Sequence, residues 1–158
     1  MRLFALLLAS IAAFGCTSER HRAYVKLADQ LNPILTTMIP KVAAFAAFAP
    51  GAASDDATLY QLCRSADPEL VRLGALNFDD ALGLQHGTST LALEAKSFLS
   101  QVGSTCWSSV DHEVVTTCRW SCLDRWSFLR TVLERVRDRA ADEGVAIYDL
   151  PKVPPAKF

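Results

Sequence analysis

The sequence predicts an all-α protein: an antiparallel bundle of about four helices with disulfides and an extended C-terminal tail. Three observations predict it. Apolar residues recur at steps of three and four over long stretches, which is the helical period. The period-two alternation of a half-buried strand is confined to Val145 to Tyr148. The connectors between periodic stretches are of modest length, as between antiparallel neighbours.

The first helix is marked by Tyr24, Leu27, Leu31, Leu35, Met38, Val42 and Phe45, which fall on one face. Asn32-Pro33 has the form of an N-cap followed by proline in the first turn, so a break near Asn32 is expected. Pro50-Gly51 ends the segment. Ser54 or Asp55 caps a second helix with Leu59, Leu62 and Cys63. Asp67-Pro68-Glu69 is a second start signal, with Asp as cap, Pro in the first turn and acid near the positive end of the dipole. Helix to Leu76 with a break near Ala66 follows.

Asn77 to Gly87 is a connector, and Thr88 to Thr90 offers caps for a third helix. That helix sets Leu91, Ala95, Phe98 and Val102 on one face and stops at Gly103-Ser104. Ser108-Ser109-Val110-Asp111 resembles a capping box opening the fourth helix. Its stripe is Val115, Cys118, Cys122, Trp126, Leu129, Leu133 and Val136, and Gly144 suits the position just past its end. Arg119, Asp124, Arg130, Glu134, Arg137 and Asp138 lie opposite.

Ahead of the bundle stands a leader: Arg2, then an apolar run from Leu3 to Phe14, then Gly15 and Cys16. The run is shorter than the ~20 apolar residues that span a bilayer as a helix. Charged start, apolar middle and small-residue exit are the layout of an export signal. With a cysteine directly after Gly15, the leader resembles a bacterial lipoprotein signal, which implies that Cys16 is lipidated and becomes the mature N-terminus. Ala13-Phe14-Gly15 departs from the commonest pattern of that class, Leu followed by two small residues. It also reads as a small-x-small site for ordinary signal peptidase, which would leave a secreted or periplasmic protein with a free Cys16 thiol. The organisation expected is a signal peptide over 1–15, a lipidated N-terminus and tether over 16–23, the bundle over 24–144, and an extended or disordered tail over 145–158.

Cysteine arithmetic bears on the choice. Of five cysteines, setting Cys16 aside leaves Cys63, Cys106, Cys118 and Cys122, an even number suited to two disulfides in an exported protein. Four cysteines allow three pairings, of which Cys106–Cys118 with Cys63–Cys122 is the one expected. The spacing contains no Cys-x-x-Cys, so neither structural zinc nor a thioredoxin-like redox site is indicated.

Without residues 1–15, one of the 16 basic residues and none of the 17 acidic ones is removed, which leaves a net charge of −2. That balance is not a nucleic-acid footprint. There is no Gly-x-Ser-x-Gly, phosphate-cradling glycine loop or His-Glu-x-x-His, so no enzyme activity and no cofactor are expected. Asp55-Asp56 and Asp79-Asp80 suit caps and turns rather than an acid/base couple. His21 falls in the tether and His86 in a loop, neither beside a recognisable nucleophile. An alternative places Met38 and His112 at one end of the bundle, a pair that resembles the haem ligands of b-type four-helix cytochromes. Met38 on the apolar stripe is more simply core filler.

Trp126 lies on the core stripe, whereas Trp120 is two positions from both Cys118 and Cys122 and so faces away from it. Trp beside Arg is favoured at binding hot spots, which makes Arg119, Trp120 and Asp124 a candidate partner surface. A cover of Trp120 by the protein's own connector or tail is the competing expectation. The sequence therefore points to a lipid-anchored envelope protein that works by binding or scaffolding. Thr17 in place of the Asp that retains lipoproteins in the inner membrane of enteric bacteria leans towards the outer membrane. The partners expected are the membrane, through the lipid on Cys16, and an envelope protein.

Overall fold

A computed structural model describes the backbone of residues 2–48, 56–76, 93–100 and 112–153. Within these it describes the side chains except those of 2–18, 56, 57, 59, 60 and 112–120. All regular structure among the described residues is helical: α1 (Arg2–Phe48), α2 (Asp56–Arg64), α3 (Asp67–Gly74), α4 (residues 93–100) and α5 (His112–Asp142). The protein is an all-α bundle. Helix α1 contacts α2, α3 and α5, and α2 contacts α5.

Every stripe residue of α1 from Tyr24 to Phe45 is buried, and Ala28 and Ile34 widen the stripe. On α5 the buried set is Cys122, Leu123, Trp126, Leu129, Val132, Leu133, Val136 and Ala140. Burying a Leu or Phe side chain contributes ~1.5–3 kcal/mol, so these two faces dominate the favourable side of folding. Helix α4 joins them through buried Ala95 and Phe98. The Phe98 and Trp126 ring centroids lie 4.4 Å apart at a 55° tilt, and Arg125 Nη1 lies 3.9 Å from Glu94 Oε2 beside them.

The expected break at Asn32 does not occur, and α1 runs unbroken through Pro33 and Pro40. The prolines are seven apart and both exposed. The carbonyls their missing N–H groups leave open belong to Asp29 and Thr36, also exposed, so water can satisfy them. In the same turns the Thr36 hydroxyl donates to Asn32 O at 2.8 Å and the Thr37 hydroxyl to Ile34 O at 2.9 Å, a back-bonding that eases a bend. The stretch expected as a tether, 16–23, is likewise part of α1. It contains no glycine or proline to stop the helix.

The chain does break between α2 and α3, at Ser65-Ala66. Ala66 is the N-cap of α3 and makes no side-chain cap bond. Asp67, expected as the cap, sits one residue further in and pairs with Arg64 instead. Pro68 is in the first turn, as expected. The caps expected at Ser54 or Asp55, Thr88 to Thr90 and Ser108 to Asp111, together with Leu91, Val102 and the Asn77–Gly87 connector, lie outside the described residues.

Helix α5 closes on Gly144, whose φ is +73°. The Gly144 amide donates to Ala141 O and the Val145 amide to Ala140 O, both at 2.9 Å, the paired bonds of a Schellman turn. An L side chain at this φ would be strained. Past the turn the chain doubles back as a strap over 145–150. Val145, Ile147 and Leu150 are buried while Ala146 and Tyr148 are exposed, so the alternation seen in the sequence becomes an alternation of burial. This part of the expected tail thus belongs to the core. Residues 154–158 lie outside the described residues.

Candidate functional site

The candidate residues fall in two places: the end of the bundle near Cys16, and the outward side of α5. At the entering end Cys16 lies within the α1 backbone, and its side chain is outside the described set. One turn later Arg20 Nε lies 3.3 Å from Glu143 Oε1, and His21 Nδ1 donates to Glu143 O at 2.8 Å. The carbonyl can only accept, so Nδ1 is the donor. These contacts fasten the first turns after Cys16 to the turn that ends α5. With Asn32 further along α1 and Arg130 further back on α5 both bonded to the chain that follows Glu143, the two helices run antiparallel, residues 20 and 21 of α1 lying beside the end of α5.

The strap lies between them and is pinned from both sides. From α1, Asn32 Nδ2 donates to Ala146 O and Asn32 Oδ1 accepts the Tyr148 amide, each at 3.0 Å. From α5, Arg130 Nε donates to Leu150 O at 2.9 Å. Asp149 Oδ2 meets Arg130 Nη2 at 3.1 Å and Arg137 Nη1 at 2.9 Å. Arg130 also pairs with Glu134 at 2.7 Å. Its hydrogen bond to Asp138, and then the charge of Asp149, hold the Arg137 guanidinium protonated more firmly than usual. Arg130 and Arg137, expected only on the face opposite the apolar stripe, are thus the anchor of the strap.

At the far half of the bundle Lys41 Nζ donates to both oxygens of Glu69 at 2.7 Å, and Glu69 is 7% exposed. Cys63 and Cys122 are joined in a disulfide, with Cα atoms 6.3 Å apart and both residues fully buried. It ties α2 to α5 and is one of the two bridges expected. Cys106, and the side chain of Cys118, lie outside the described set.

Of the candidate partner surface, Arg119 and Trp120 occupy helical positions whose side chains are not described. Asp124 is exposed one turn beyond Trp120. One turn further stands Phe128, half exposed, an apolar side chain in the same row that was not singled out in the sequence. The positions 120, 124 and 128 follow the helical spacing, the signal by which Phe128 could have been found. Met38 is fully buried in the core cluster, where a methionine packs. The side chain of His112 and residue His86 lie outside the described set. No group of three or more His, Cys, Asp and Glu able to hold a metal occurs among the described residues.

Comparison with protein-family models, curated proteins and solved structures finds no match to this chain. The part of α1 whose side chains are described, Glu19–Phe48, is long and apolar enough to cross a membrane by length and composition alone. Its stripe from Tyr24 to Phe45 is buried against the other helices, which is how a core helix passes the same test.

Proposed function

We propose that this is an exported bacterial envelope protein, lipidated at Cys16, that acts by binding or scaffolding rather than by catalysis. The observation that carries the reading is the Cys63–Cys122 disulfide behind an export-type leader. Disulfides persist in oxidising compartments outside the cytosol, so a crosslink inside the core and a leader at the front point the same way. With Cys16 taken by lipid, the remaining cysteines are even in number, as two disulfides require. The Asp124–Phe128 row of α5, with Trp120 ahead of it, is the surface offered to a partner in the envelope.

Membrane extraction tests the anchor. An acylated protein stays with membranes through an alkaline carbonate wash and leaves with detergent, and Cys16→Ala moves to the soluble fraction. Wild-type protein released by carbonate alone would overturn the anchor and leave secretion.

A further inference from the structure

We infer that the bundle stands on the membrane with one defined end down: the end made by the first turns of α1 after Cys16 and the Glu143–Gly144 turn of α5. This rests on the reading of Cys16 as the lipid anchor, and adds an orientation and a contact surface to it.

The argument is one of reach. Arg20 is four residues from Cys16. Four residues measure ~6 Å as helix and at most ~14 Å fully extended, so Arg20 and His21 stay near the headgroups in either state. They are bonded to the side chain and the carbonyl of Glu143, which brings the end of α5 down with them. The strap prevents hinging at that turn. It leaves Gly144 and is held by Asn32 on α1 and by Arg130 and Arg137 on α5, so the two helices and the strap move as one body. Helix α3 is placed by Glu69 on Lys41. Lys41 is 21 residues along α1 from Arg20. At the helical rise that is ~30 Å further along the α1 axis, the length that an upright bundle turns into height above the bilayer.

Charge does not drive this orientation. Arg20, Arg22 and Lys26 are set against Glu19 on α1, and Asp138, Asp142 and Glu143 against Arg139 at the end of α5. The partner is the lipid surface itself, met through the short covalent anchor and a continuous helix rather than through a basic patch. The protein is then a fixed post, with α2 and α3 presented away from the membrane.

The full chain, made with its own leader so that it is processed, is reconstituted in phosphatidylethanolamine–phosphatidylglycerol vesicles carrying a headgroup nitroxide quencher. A fluorescent amino acid is placed at Asp142 in one sample and at Val71, exposed on α3, in another. The expected result is quenching several-fold stronger at Asp142 than at Val71, with the difference reduced when Arg20→Ala and His21→Ala are combined. Equal quenching at both sites in protein that floats with the vesicles would overturn the orientation and leave the anchor standing. Protein that fails to float at all would overturn the anchor, and the orientation with it.

Discussion

Asn32 and Tyr148, 116 residues apart, are joined by a hydrogen bond from the Tyr148 amide to the Asn32 side-chain oxygen at 3.0 Å. The Asn32 amide reaches Ala146 O at the same distance. One side chain thus reads two backbone groups of an extended strap, as a neighbouring strand would. Replacing Asn32 by Ala removes both bonds and leaves the strap hydrogen-bonded only from α5, with Val145, Ile147 and Leu150 still in the core. At about 1 kcal/mol net for each hydrogen bond, the loss is ~1–3 kcal/mol. Urea unfolding measures it, and exchange of the Tyr148 amide should accelerate. An unchanged Tyr148 exchange rate would show that the strap does not depend on Asn32.

The Cys63–Cys122 bridge closes a long loop, with a sequence separation of 59. Restricting the unfolded chain by a loop of that size is worth ~4 kcal/mol in the chain-entropy description. Reductant should therefore lower the melting temperature of the wild type strongly and that of Cys63→Ala far less. Alkylation without reductant, read by mass spectrometry, should leave both cysteines unmodified. Ready alkylation of Cys63 in native protein would contradict the crosslink.

Lys41 and Glu69 make a pair of unequal burial, with Lys41 partly open to solvent and Glu69 almost closed off. Removing the cation strands a buried carboxylate. Lys41→Met should destabilise by ~2 kcal/mol, less than a fully buried pair because water still reaches the site. Adding Glu69→Leu should recover much of the loss. If the double variant is as unstable as the sum of the two single changes, the pair is not coupled as the geometry indicates.

Trp120→Ala distinguishes a partner surface from an intramolecular cover. A binding role predicts a near-normal melting temperature together with weaker crosslinking to envelope proteins. Phe128→Ala should act in the same direction, since Phe128 is half exposed two turns along the same row. A fall of several degrees in melting temperature for Trp120→Ala, with crosslinking retained, would assign that residue to the protein's own packing.

The parts of this fold that could be read from the sequence are those set by a local period. The stripes Tyr24 to Phe45 and Cys122 to Val136 are buried residue for residue, because a 3.6-residue repeat leaves a helix only one way to hide its apolar side. Gly144 was legible for the same kind of reason: a helix end needs a positive φ that glycine supplies without strain. Asn32 was misread because its two local signals, an asparagine and a following proline, match a cap. Its actual partners lie more than a hundred residues away. Arg130 and Arg137 were hidden similarly, since nothing local distinguishes a solvated arginine from one that meets Asp149 of the strap. Around the candidate site, the helical placement of Arg119, Trp120 and Asp124 could be read, while the clamp of Arg20 and His21 on Glu143 could not. It depends on the antiparallel placement of two helix ends.

Lipid on Cys16 is the claim on which both the proposed function and the orientation depend, and metabolic labelling with a radioactive fatty acid tests it most directly. The account predicts label on the wild-type protein, resistant to denaturing solvent extraction, and none on Cys16→Ala. An unlabelled wild-type protein, or label that survives the substitution, would contradict it.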